Sequence, residues 1–110
     1  MYVANSKPIL MKEDNVSFIV IFETYGDKIE RMQSLIRALC EIAKDEYKCL
    51  RFYVFQDAYA HEKFIVLETW PSQRDWDQYL NSSDFHTVMD EIDKLLQHPI
   101  QVILLNQLSE

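Results

Sequence analysis

One glycine, three prolines, two cysteines and three histidines in 110 residues exclude several kinds of chemistry at once. Phosphate loops and dinucleotide fingerprints need several glycines where backbone approaches phosphate, so Gly26 alone argues against nucleotide cofactors bound in those ways. Cys40 and Cys49 are too few for a disulfide framework or a zinc site, and no spacing of the histidines supplies the missing ligands. The expectation is a protein without metal, with reduced thiols in a cytoplasm. Basic residues are also scarce: 11 against 18 acidic ones give a net charge of -7, and their scatter argues against a nucleic-acid or anionic-membrane surface. No apolar segment is long enough for export or for a membrane span.

What the chain does have is apolar content, 48% of it, enough for the core of one domain. The most telling stretch runs from Cys49 to Trp70. Leu50 to Phe55 and Phe64 to Trp70 are rich in β-branched and aromatic residues, and Gln56 to Lys63 interrupts them with charge, which reads as a β-hairpin. Upstream, Val16, Phe18, Val20 and Phe22 alternate with Ser17, Ile19, Ile21 and Glu23, making a first strand. After Gly26, Asp27 and Glu30 resemble a helix-capping pair, and Ile29, Met32, Leu35, Ile36, Leu39 and Ala43 recur at helical spacing to about residue 45. Pro71 and Ser72 open a short helical turn bearing Trp76 and Tyr79. Ser82 or Ser83 caps a further helix with Phe85, Val88, Met89, Ile92, Leu95 and Leu96 inward, and Pro99 stops it. Residues 100–105 read as a last strand, and residues 1–15 as an irregular arm.

The order strand, helix, strand, strand, helix, strand is the ferredoxin-like α+β arrangement, βαββαβ with a four-stranded antiparallel sheet and its helices on one face. The other face then carries Ile19, Ile21, Ile65, Leu67 and Ile103. Such a patch exceeds what soluble monomers expose, so a homodimer through the sheet face is expected, with Ile21 and Leu67 in its interface.

Three segments resemble the antibiotic biosynthesis monooxygenase (ABM) family of dimeric α+β barrel proteins. They are Cys49 to Phe52, Phe64 to Glu68 with Trp70, and Tyr79-Leu80-Asn81-Ser82-Ser83-Asp84-Phe85, within a likeness spanning residues 16–107. Where the family pattern has two histidines in the last segment, this chain has Tyr79 and Asp84; Phe85 is retained, with His86 just beyond. The resemblance implies cofactor-free oxygenation of phenols, quinols or anthrones. Of the haem-degrading branch's asparagine, tryptophan and histidine only Trp70 is present, the other places falling near Ile19 and Met89, so no haem is expected. A sugar-phosphate isomerase would want a basic cluster, which is absent.

Oxygenation without metal or flavin needs an electron-rich substrate, a base to make its anion, and an apolar cavity in which that anion meets dioxygen. Glu68 is the first candidate base, because a carboxylate sharing a face with Phe64, Val66 and Trp70 must be paired, protonated, solvated or poised to take a proton. His86 is the second, from the flank of its helix. Phe64, Trp70, Tyr79 and Phe85 are the candidate substrate-binding residues, with Tyr79 better suited to orient a ligand than to deprotonate it. The bland alternatives are a hydrogen-bonded Glu68, a solvent-facing His86 and aromatics that merely pack. Two functions follow: a small monooxygenase for an aromatic or quinol, or a non-enzymatic dimeric binding or stress-related protein on the same fold. An open cavity between Trp70, Tyr79 and Phe85 would favour the first, and a closed one the second.

Overall fold

The computed structural model describes residues 15–109, so the expected arm falls outside it except for Asn15. The alternating segment forms β1 (Val16–Glu23), burying Phe18, Val20 and Phe22 on one face while Ile19 and Ile21 stay half-buried on the other. Helix α1 (Ile29–Asp45) turns Met32, Leu35, Ile36, Leu39 and Ala43 inward. The expected Asp27–Glu30 cap does not form. Gly26–Lys28 is a turn of 3-10 helix, and α1 begins behind Lys28 without a side-chain cap. Asp27 thus lies inside a helical turn, and the extended backbone a capping residue needs belongs to Tyr25.

The hairpin is β2 (Arg51–Gln56) and β3 (Lys63–Trp70). In its loop, the Asp57 carboxylate accepts the backbone N–H groups of Tyr59 and Ala60 at 2.8 and 2.9 Å, which holds that carboxyl below its ordinary value. The short turn bearing Trp76 and Tyr79 is a full helix, α2 (Gln73–Leu80), capped by Ser72 Oγ accepting from Asp75 N–H at 3.2 Å. Ser82 caps α3 (Ser83–Asp93) in the same way, accepting from Phe85 N–H at 3.1 Å. Beyond it, β4 (Gln101–Leu105) closes the sheet.

The strand order β2-β3-β1-β4, antiparallel throughout, is the ferredoxin-like topology expected from the order of elements. The register defines what the uncovered face presents. One row across all four strands is Tyr53, Leu67, Ile19 and Ile103, and the next is Phe55, Ile65, Ile21 and Gln101. Tyr53, Phe55 and Ile103 are exposed. Opposite, the helices cover a continuous core in which Phe18, Phe52, Val66, Trp70, Tyr79 and Ile92 are buried. Among the described residues no helix is long and apolar enough to cross a membrane.

Candidate functional site

Period-two alternation along β3 puts Phe64, Val66, Glu68 and Trp70 on the face beneath the helices. Glu68 pairs across the sheet with Phe18 on one side and Phe52 on the other, so its carboxyl enters the core between two phenylalanine strands' positions, and it is only 5% exposed. Its hydrogen-bond partner is the next residue on that face: Trp70 Nε1–H donates to Glu68 Oε1 at 2.9 Å. Desolvation disfavours the carboxylate more than this one bond favours it, and the Glu68 carboxyl is raised from 4.5 to about 7. It therefore exchanges its proton near neutral pH.

Tyr79, on α2, covers this pair. Its ring lies 4.9 Å from that of Trp70, 4.8 Å from Phe85 in an edge-on contact, and 6.0 Å from Tyr47. The hydroxyl points to Leu39 C=O in α1 at 3.5 Å, the outer limit of a hydrogen bond. Burial, and then the nearby Glu68 charge, push the phenol above its ordinary value, so Tyr79 stays a neutral donor. Trp70 is 0% and Tyr79 1% exposed. The site is closed.

The cavity expected between Trp70, Tyr79 and Phe85 is thus filled by Tyr79 itself. A groove of about 870 Å³, lined by Tyr47, Arg74, Gln78 and their neighbours, runs outside it. Tyr47 joins the two, since it borders the groove and packs on Tyr79. From groove to carboxyl the order is Tyr47, Tyr79, Trp70, Glu68.

Glu68, Trp70, Tyr79 and Phe85 come together as their spacing suggested, but two other candidates do not join them. Phe64 is buried at the far end of β3, opposite Phe22, four residues and about 13 Å along the strand from Glu68. It is core. His86 is exposed, its ring edge-on to Phe85 at 5.7 Å. With Ile92 innermost on α3, position 86 falls on the outer flank, directed away from the buried carboxyl.

Two residues given no role by sequence lie beside the cluster. Cys49 Sγ donates to Arg51 C=O at 3.1 Å, and Cys40 Sγ to Phe52 C=O at 3.8 Å. Burial, with the Glu68 charge adding to it, pushes the Cys49 thiol up to about 12, so it is no nucleophile at neutral pH. Only knowledge of which strand starts beside β3 could have placed these thiols. Among the described residues no group of three or more His, Cys, Asp or Glu side chains could hold a metal ion.

A model of the family described as antibiotic biosynthesis monooxygenase matches residues 16–91, which includes β1, the hairpin, Glu68, Trp70 and Tyr79. The chain belongs to that family. Solved structures share its fold at low identity. Rv0793 from Mycobacterium tuberculosis is 21% identical with a TM-score of 0.78, covering 87% of this chain and 97% of its own. A conserved protein from Methanosarcina mazei Go1 is 17% identical with a TM-score of 0.81, covering 91% and 99%. A structure named antibiotic biosynthesis monooxygenase is 21% identical with a TM-score of 0.79, covering 86% and 99%. No curated protein matches the chain.

Proposed function

We propose that this ABM-family chain is a cofactor-independent monooxygenase for a small electron-rich aromatic, a phenol, quinol or anthrone, with Glu68 as the base. The observation that carries this reading is the buried Glu68 carboxyl, raised to about 7 with one hydrogen bond from Trp70. Such a group weakens the fold, and a glutamine would keep the bond without the ionisation. A destabilising, titratable residue in an apolar site is what a proton-abstracting step requires.

In the proposed reaction Glu68 removes a proton from the substrate, and the resulting anion passes one electron to dioxygen. The radical pair joins through a new C–O bond as a peroxide anion, which takes the proton back from Glu68 to become the hydroperoxide; loss of water then leaves a carbonyl, as in conversion of an anthrone to a quinone, with the Glu68 carboxylate restored. The apolar surroundings, Phe18, Phe52 and Trp70, favour the spread-out anion over water and its competing protonation. Trp70 orients the carboxyl. Tyr79 acts as the cover: its long contact to Leu39 holds it weakly, and its displacement would open the groove to the Trp70 indole that lies against Glu68.

The closed packing around Trp70 and Tyr79 favours a second reading, a non-enzymatic dimeric binding protein on the same fold. Oxygen uptake on quinols and anthrones separates the two: turnover by the wild type that falls in Glu68→Gln supports the enzyme, whereas aromatic binding without uptake supports the binder. On either reading we infer a homodimer through the uncovered sheet face, because its two apolar rows include exposed Tyr53, Phe55 and Ile103, and burying each such side chain gains about 1.5–3 kcal/mol.

A further inference from the structure

Helix α2 presents two faces. Trp76 and Tyr79 pack into the core, while Gln73, Asp77 and Asn81, with Arg74 and Gln78 in the next row, recur at helical spacing on its exposed side. A polar face of this kind ordinarily meets only water. Here it lines the groove of about 870 Å³, together with Tyr47 from just beyond the end of α1. The face is partly ordered by its own contacts, since Gln73 Nε2 donates to Asp77 Oδ1 at 3.1 Å, one helical turn apart. The groove lies on the helix side of the sheet, so a dimer through the uncovered sheet face leaves it open.

The lining chemistry is two-sided. Among the described residues Arg74 and Asp77 are its charged groups, and their opposite signs select neither an anion nor a cation. Gln73, Gln78 and Asn81 each bring an amide that donates through nitrogen and accepts through oxygen. A ligand group matches such a surface when it too both donates and accepts, which describes a hydroxyl, whereas a ketone or an ether only accepts. Tyr47 adds a phenol to the same set, and an apolar ring on which the C–H side of a sugar can rest. That ring also packs edge-on against Tyr79, 6.0 Å between centroids, so a group held in the groove adjoins the cover of the Glu68 site.

We propose that the groove holds a neutral, hydroxyl-rich substituent, a sugar or similar polyol, carried by the aromatic that occupies the Glu68 site; for the identity of that aromatic the inference rests on the monooxygenase reading. Anchoring the substituent outside Tyr79 sets the attached ring at the point where the cover gives way. The probe is 4-hydroxyphenyl β-glucoside, which keeps one free phenol, compared with hydroquinone and with 4-(cyclohexyloxy)phenol, which has a ring in place of the sugar but none of its hydroxyls. On the full chain, amide chemical shifts should report saturable glucoside binding that moves Gln73, Asp77 and Gln78 and is at least ~10-fold tighter than that of either comparison compound. Asp77→Ala should weaken it about 10-fold, the loss of one hydrogen bond to a charged group, and Gln78→Ala less. Both residues are exposed, so the variants should keep the wild-type melting curve. Equal affinity for the glucoside and the cyclohexyl ether, undiminished binding by Asp77→Ala, or shifts that leave the groove amides unmoved would each overturn the proposal. Oxygen uptake keeps the two readings apart: preference for the glucoside without uptake removes the monooxygenase and leaves the groove site standing, whereas uptake without that preference removes the groove site alone.

Discussion

Trp70 reaches back two residues along β3 to donate its indole N–H to Glu68 at 2.9 Å. Residues two apart in a strand share a face, so the acid and its one side-chain partner among the described residues stand side by side on a central strand of the sheet. What pairs them also leaves Glu68 short of compensation, because one neutral donor does not offset the desolvation of a charge.

Stability should carry the signature of that shortfall. The native carboxyl titrates at about 7 against an ordinary value of 4.5, so between these values the folded state keeps a proton that the unfolded chain has released. Stability then falls as pH rises through this window, and the full cost above it is about 3 kcal/mol. Thermal melts at pH 5 and pH 8 should differ for the wild type by on the order of 10 °C more than for Glu68→Gln, which has no such proton to lose. Equal pH dependence in the two proteins would mean that Glu68 is compensated in solution.

Tyr79 offers a separate check on the cover. Tyr79→Phe removes only the long contact to Leu39 and should cost under about 1 kcal/mol. Tyr79→Ala should cost about 3–5 kcal/mol and bare Trp70, seen as red-shifted emission and stronger acrylamide quenching than in the wild type. Unchanged quenching in a folded Tyr79→Ala would show that another side chain covers the indole.

The sheet-face dimer is tested at its centre. Leu67 lies between Tyr53 and Ile19 in the middle apolar row, so Leu67→Asp would place a carboxylate among hydrocarbons. Light scattering should report a dimer for the wild type and monomer or aggregate for the variant. A Leu67→Asp protein that remains a stable dimer would place the interface elsewhere.

Elements and faces were legible in the sequence because alternation in β1 and β3 and the helical spacing from Ile29 to Ala43 depend on backbone period alone. The same alternation marked Glu68 and Trp70 as face-sharing and left Ile19, Ile21, Ile65 and Leu67 without cover. Distances along an element were less legible: Phe64 shares Glu68's face yet stands about 13 Å away, since parity says nothing of separation. Capping turned on a local choice, the 3-10 turn at Gly26–Lys28, that moved Asp27 out of the capping conformation. The closed state of the site depends on how the Tyr79 ring fills space against Trp70 and Phe85, and no periodicity encodes that. The row of Tyr53, Leu67, Ile19 and Ile103 across the uncovered face required the register between four strands, which single-strand patterns do not contain.

The account rests on Glu68 as the base, and the pH dependence of oxygen uptake tests it most directly. With a quinol or anthrone that the wild type oxidises, kcat/KM should rise with pH through about 7, where the carboxyl ionises, and level off above. Glu68→Gln should lower it by at least ~100-fold, the usual contribution of a positioned base, with aromatic binding, read by tryptophan quenching, largely retained. A Glu68→Gln protein that consumes oxygen at near wild-type rates with the same pH profile would contradict the account.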